Sequence, residues 1–205
     1  MKVLMINGSP HEKGCTNAAL EEIAKALYTD GVDSEIVWLG SSPVQDCIAC
    51  GGCRKTGRCV FDDSTNTVVE KAAASDGFVF GTPVYYAHPS GRVLSVLDRA
   101  FYSGSAAFAG KPGAAIASAR RAGTTASFDA MNKYFTIASM PIASSTYWNM
   151  VHGMRAEDVA QDAEGLQTMR NIAHSLSWLM KCIALGRESG IELRRERGEY
   201  TNFIR

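Results

Sequence analysis

Apolar residues along the chain alternate between short unbroken runs and stripes at helical spacing. Val3-Leu4-Met5-Ile6 is an unbroken run closed by Asn7-Gly8-Ser9-Pro10, the pattern of a strand buried on both faces that feeds a loop. Leu20, Ile23, Ala24 and Leu27 then recur one helical turn apart, and Gly31 stops that helix. Ser34–Leu39 predicts a second strand, followed by a long Gly- and Cys-rich loop from Gly40 to Phe61. Asp62, Asp63 or Ser64 is placed to cap a helix starting near Thr65. Gly77–Gly81 predicts a third strand leading into Thr82-Pro83-Val84-Tyr85-Tyr86, and Val93, Leu97, Ala100 and Phe101 stripe the helix after it. Lys111–Ser118 reads as a fourth strand, Thr125–Ile137 as a helix, and Ile142–Tyr147 as a fifth strand. Met169, Ile172, Leu176, Leu179, Met180 and Ile183 give the last helix its apolar stripe, with Cys182 read as a buried small hydrophobe upon it.

Strands alternating with helices imply an α/β fold, a five-stranded parallel sheet covered on both faces. No repeat or composition shift marks a second domain, so residues 1–187 are expected to form one unit and residues 188–205 a tail. Within that tail Arg194-Arg195-Glu196-Arg197 is basic but broken by an acid, which suits a solvated end. Ligands of such sheets lie beyond the carboxyl ends of the strands, where strand order reverses. With order 2-1-3-4-5, the loops at 8–17, 82–91 and 118–124 become neighbours.

These three loops carry unusual content. Residues 8–17 open a helix and hold Ser9, Thr16 and Asn17, whose hydroxyl and amide groups would join free backbone N–H groups around a phosphate dianion. An ordinary capped turn, with Thr16 or Asn17 as the cap, is the plainer reading of the same residues. No Gly-Lys-Ser/Thr ends the loop and no Gly-x-Gly-x-x-Gly occurs, which argues against a nucleoside triphosphate and a tightly held dinucleotide. Pro83 stiffens the second loop while Tyr85 and Tyr86 offer flat walls for a planar ligand, unless they merely pack. Arg120 and Arg121 bring charge to the third loop, where Gly123 lets backbone amides approach closely; both arginines also suit plain solvent exposure. Asp162 and Glu164 sit well to offset the dipole of the last helix.

Charge narrows the partners. Of 205 residues, 21 are basic and 21 acidic, so no general field draws the chain to nucleic acid or an anionic membrane. No segment reaches the roughly 18 uninterrupted apolar residues of a membrane span, and the first apolar run is too short for a secretory signal, so a cytoplasmic location is expected. In that reducing setting six cysteines, four of them between Cys47 and Cys59, point to metal or redox work rather than a disulfide framework. Cys47, Cys50, Cys53 and Cys59 follow C-x2-C-x2-C-x5-C, letting one loop wrap thiolates around an iron-sulfur cluster, with Arg54, Lys55 and Arg58 offsetting their charge. A zinc site, usually two separated pairs, a metal-free cysteine run and a thiol/disulfide pair stand beside that reading.

Taken together, Gly8-Ser9-Pro10, Thr16-Asn17, Thr82-Pro83-Val84-Tyr85-Tyr86, Ser90-Gly91, Leu97-Asp98-Arg99 and the cysteine run resemble the NADPH-dependent FMN reductase family over roughly residues 1–185, in particular its iron-sulfur flavoproteins. The resemblance implies a flavodoxin-like three-layer sandwich holding FMN. By it Ser9, His11, Thr16 and Asn17 would hold the phosphate, Pro83, Val84, Tyr85 and Tyr86 would line the ring, and Ser118, Arg120, Arg121 and Gly123 would close the pyrimidine side. Cys47, Cys50, Cys53 and Cys59 would hold a 4Fe-4S cluster. The family often has Arg where His11 stands and a small or polar residue where Cys15 stands, so charge compensation at the phosphate is weaker here. The resemblance further implies an oxidoreductase with NAD(P)H as donor, a small-molecule or protein electron acceptor, and a homodimer or homotetramer. A non-enzymatic electron carrier and a four-cysteine metal-binding interaction protein are the rival classes.

Overall fold

A computed structural model describes residues 1–196, 198, 199, 201 and 203. Arg197 of the basic tail therefore lies outside the described residues. Five parallel strands form the sheet: β1 (Lys2–Asn7), β2 (Asp33–Trp38), β3 (Gly77–Tyr85), β5 (Gly113–Ala119) and β6 (Met150–His152). Their order β2-β1-β3-β5-β6 is 2-1-3-4-5 once the two-residue antiparallel strand β4 (His88–Pro89), which pairs only with β3, is set aside. The flavodoxin-like three-layer arrangement expected from the sequence is thus the observed one.

The apolar runs explain which strands are central. All seven residues of β5 are buried, as are five of six in β1, whereas β2 at the edge has none fully buried. Helices α1 (Cys15–Thr29) and α7 (Ala163–Glu188) cover one face through Leu20, Ile23, Leu27, Ile172 and Leu176. Helices α3 (Ser64–Ala73), α4 (Gly91–Gly104) and α5 (Thr124–Ile137) cover the other with Val68, Val93, Leu97, Met131 and Phe135. Phe80 of β3 stacks on Phe135 at 5.0 Å between ring centroids, tying α5 to the middle of the sheet. Side chains cap three of these helices: Asp63 accepts from Thr65 N, Ser90 from Val93 N and Asp162 from Gly165 N. The remaining helical segments are short: α2 (Cys53–Thr56) in the cysteine loop, a 3-10 turn (Ser105–Ala107) after α4, and α6 (Ala156–Val159) after β6.

Two expectations need correction. The fifth strand is Met150–His152, not Ile142–Tyr147; the earlier segment makes one parallel bridge, Gly113 to Ile142, and then leaves the sheet. The reason is Asn149, which is buried and gives its side-chain amide to Ala115 O at 3.1 Å while its carbonyl oxygen takes the Ser145 hydroxyl at 2.7 Å. That polar side chain closes residues 145–149 into a loop and leaves Tyr147 and Trp148 exposed. Cys182 is exposed rather than buried, because it lies two residues past the buried Met180 and so on the far side of α7.

Glu35 on β2 accepts from Lys2 Nζ at 2.6 Å and Lys71 Nζ at 2.5 Å, joining β1, β2 and α3 at the sheet's edge. The two lysines, Lys2 foremost, hold its carboxyl below the ordinary value of 4.5. A depressed carboxylate stabilises the fold above its unfolded pKa and stops doing so as pH falls through its folded value. Glu35→Gln should therefore cost about 0.5–1 kcal/mol at pH 7. In urea unfolding the gap should shrink below about pH 4.5 and vanish once the carboxyl is protonated.

Candidate functional site

The carboxyl ends of β1, β3 and β5 release their loops on one edge of the sheet, around a cleft of about 550 Å³. Its first wall is the β1–α1 loop with Ser9, His11, Lys13, Gly14 and Thr16. This loop is fixed from several directions. Asn7 accepts from Ser9 N at 3.0 Å and donates to Glu12 O at 3.0 Å, and Ser9 Oγ accepts from His11 N at 3.1 Å. From outside the loop, Trp38 Nε1 donates to Ser9 O at 2.8 Å and Ser90 Oγ donates to Gly8 O at 2.8 Å.

Helix α1 opens directly into the cleft. Unlike α3, α4 and α7, it has Gly14 at its N-cap and no side-chain cap among the described residues. The cap that the plain-turn reading assigned to Thr16 or Asn17 is therefore absent: the helix already runs at these positions. Thr16 Oγ1 instead shares a hydrogen bond with Ser118 Oγ at 2.8 Å, both side chains buried. Asn17 turns aside to Glu21 Oε1 at 2.8 Å and does not line the cleft. The 15-residue helix thus presents first-turn amides free of any side-chain cap beside buried hydroxyls, an arrangement able to take an anion.

The second wall is the end of β3, with Pro83, Val84 and Tyr85, and the third is Ser118, Ala119 and Arg120. Tyr86 does not line the cleft. It forms, with Ala87, the two-residue tip of the β3–β4 hairpin, both at positive φ (50° and 61°), and its side chain stands wholly in solvent. Such turns favour Asn-Gly, so Tyr-Ala here stores strain of about 1–2 kcal/mol per residue. Gly123, at φ 92°, lies against that tip; a Cβ on it would come within 2.6 Å of Ala87 Cα and 2.9 Å of Val84 Cγ1. Arg121 also stays outside the cleft, though its carbonyl accepts from His152 Nε2 at 3.1 Å.

Sequence reasoning missed a fourth wall, Gly153 to Glu157, which follows β6 and brings Arg155 to the cleft. Asp158 Oδ2 accepts from Met154 N at 2.8 Å and Arg155 N at 2.9 Å, so this turn is anchored. With Lys13 and Arg120, Arg155 makes the mouth basic apart from Glu157. No local pattern announces Arg155, whose place depends on where β6 ends. Cys15 also faces the cleft, and burial pushes its thiol up.

Cys47, Cys50, Cys53 and Cys59 line a separate cavity of about 330 Å³ with Ile48, Val60, Phe61 and Tyr102, and all four are free thiols. Ala49 and Gly51, both on the cavity wall, adopt positive φ, as does Gly57 at the end of α2. Among the described residues no three His, Cys, Asp or Glu side chains already converge as a metal site. Arg58, expected to offset thiolate charge, is taken by Glu70 and Asp62. The cation that reaches a cysteine is Arg99 of α4, whose Nε donates to Cys59 Sγ at 3.1 Å. A third cavity, about 580 Å³ between α4 and α5, is lined by Phe101, Tyr102, Tyr134 and Ile137 and lacks the amide-rich helix start of the first.

The sequence profile of the NADPH-dependent FMN reductase family matches residues 1–155. The chain belongs to that family. It is an FMN-dependent oxidoreductase. Among curated relatives, an iron-sulfur flavoprotein of Methanocaldococcus jannaschii is 27% identical over 191 residues, covering 89% of this chain and 99% of the relative. The iron-sulfur flavoprotein of Methanosarcina thermophila is 27% identical over 195 residues, covering 92% and 100%. Of solved structures, RosB with a bound 8-demethyl-8-formylriboflavin-5′-phosphate superposes with a TM-score of 0.70 at 12% identity, covering 100% of this chain and 92% of RosB. An archaeal flavodoxin gives 0.61 at 14% identity, covering 88% and 99%. Both structures share the fold.

The contact between Gly123 and the hairpin tip is directly testable. Gly123→Ala should destabilise the protein by about 1–3 kcal/mol, from unfavourable φ and the Ala87 clash together. A denaturation midpoint equal to that of the unaltered protein would show that the two loops do not pack as described.

Proposed function

We propose that the chain is an NAD(P)H-dependent FMN reductase whose cleft at the β1, β3 and β5 ends holds FMN, and whose four clustered cysteines hold a 4Fe-4S cluster. The observation that carries the flavin site is the uncapped start of α1, opening into a cleft lined by Ser9, Thr16 and Ser118. In this reading the α1 amides, Ser9 and Thr16 take the phosphate, with His11 beside it and Lys13 and Arg155 supplying positive charge. Pro83, Val84 and Tyr85 wall one side of the ring slot, and Ser118 with Arg120 closes the other. Arg121, through its carbonyl to His152, and Gly123, packed against Ala87 and Val84, act from behind by holding the loops that make the contacts, while Asn17 and Tyr86 stay apart from the cleft. The flavin supplies the hydride and single-electron chemistry, while the protein binds, orients and shields it.

The cysteine cavity fits a cluster by its chemistry: four free thiols facing one space, an apolar rim of Ile48, Val60 and Phe61, and a cation at Cys59. Relatives named iron-sulfur flavoproteins that align along nearly their whole length support this assignment. Such a cluster would pass single electrons to a small-molecule or protein acceptor. Without a dinucleotide fingerprint, NAD(P)H would bind transiently at the open cleft and leave before the acceptor arrives. A cytoplasmic homodimer or homotetramer accords with the same family.

Titrating apoprotein with riboflavin 5′-phosphate should quench flavin fluorescence at one equivalent per chain, and plain riboflavin should bind far more weakly. Absence of quenching would overturn the flavin site. Thr16→Val and Ser9→Ala should each weaken FMN about tenfold, the effect of ~1.4 kcal/mol. Mixing the loaded protein with NADPH should bleach the flavin promptly and give parallel double-reciprocal plots with an acceptor. A flavin indifferent to both NADPH and NADH would point instead to a carrier.

A further inference from the structure

Arg99 is the largest fully buried side chain among the described residues, 1% exposed. Its guanidinium has five N–H groups, and every one is engaged. Asp63 takes two, from Nη1 at 2.7 Å and Nη2 at 2.9 Å. Gln45 O takes one from Nη1 at 3.1 Å, and Phe61 O one from Nη2 at 3.2 Å. The fifth, on Nε, points at Cys59 Sγ, 3.1 Å away. The Phe61 ring covers the guanidinium, 5.1 Å from carbon to centroid.

These partners lie at both ends of the cysteine loop. Gln45 precedes Cys47 by two residues, while Phe61 and Asp63 follow Cys59 by two and four. One planar side chain on a rigid helix therefore closes the loop and aims its last donor at a sulfur. Burial works against both charges, but the hydrogen-bonded Asp63 carboxylate raises Arg99 above its ordinary value and Arg99 holds Asp63 below its own.

We propose that Arg99 is the positioning residue of the cysteine site: it clamps the loop from Gln45 to Asp63 and raises the cluster's reduction potential through an N–H···S bond to Cys59. This rests on the cluster reading above. Hydrogen bonds to ligating sulfurs and nearby positive charge draw electron density from the cluster, and so favour its reduced state. Arg54 and Lys55, exposed on α2, have no such fixed geometry.

The test uses full-length protein loaded anaerobically with iron and sulfide, with its FMN bound. Arg99→Lys keeps the charge opposite Asp63 but cannot serve both chain ends and the sulfur together. At a fixed ambient potential its ratio of reduced to oxidised cluster should fall about tenfold, ~59 mV for a one-electron couple, with an altered electron paramagnetic resonance signal. An unchanged potential and spectrum would overturn the role of Arg99 and leave the cluster intact. Unaltered protein that takes up no iron or sulfide would overturn the cluster itself. Because loss of a buried ion pair can prevent folding, a second measurement spares Arg99. Reduced protein carrying ¹⁵N-arginine should show hyperfine coupling of the cluster to an arginine nitrogen, retained in Arg54→Lys. No coupling, or coupling lost in Arg54→Lys, would refute the N–H···S bond.

Discussion

Gly8, one step beyond the last paired residue of β1, donates its N–H to the carbonyl of Gly81, the last residue of β3 paired with β1, at 2.9 Å, and there the two parallel strands part. The fit at that point is close: a Cβ on Gly8 would stand 2.6 Å from Val93 Cβ on α4. Because the strands run parallel, the chain leaves β1 and β3 on the same edge, and β5 joins them through its pairing with Pro83 at Ser118. The Thr16–Ser118 hydroxyl pair then spans 102 residues of sequence across that edge. Every part of the cleft depends on this junction.

Helix α4 connects the two candidate sites. At its start Ser90 holds the β1 loop through Gly8 O, and nine residues on Arg99 holds the cysteine loop. At 1.5 Å per residue that separation is about 13 Å along one rigid rod. The two sites use different physics. The strand-end cleft offers neutral dipoles and unsatisfied amides, with cations at its rim, the features that would suit the phosphorylated ring proposed for it. The cysteine cavity offers soft sulfur donors and a single buried cation whose charge is balanced by Asp63.

Much of the fold was legible because short apolar runs and helical stripes report burial locally. β1, β3 and β5 read as continuous apolar segments, and a cap among Asp62, Asp63 and Ser64 follows from their place just before a helical stripe; the structure selects Asp63, and it makes a cap of Asp162, which the sequence suggested only as an acid offsetting the helix dipole. The fifth strand was misplaced because two nearby short segments both reach β5: Ile142 makes a single bridge to Gly113, whereas Met150–His152 pairs along three residues. Asn149 joins the later segment to β5, its side-chain amide reaching Ala115 O and its backbone carbonyl accepting from Ala117 N. Cys182 was misread because neighbouring residues on a long helix can lie on opposite faces.

The candidate site divides in the same way. Residue types and spacing alone determined the strand-end loops, the compact cysteine run and the kind of chemistry each suits, since these are properties of contiguous chain. Tertiary structure decided which side chains turn inward: it brought Ser9, Thr16, Pro83 and Ser118 together, turned Asn17 aside and set Tyr86 in solvent. It also added Arg155 and Arg99, which lie far along the chain from the loops they serve. Hydrogen bonding at 3 Å is set by where strands end and helices cross, and those positions come from packing the whole chain rather than from any segment of it.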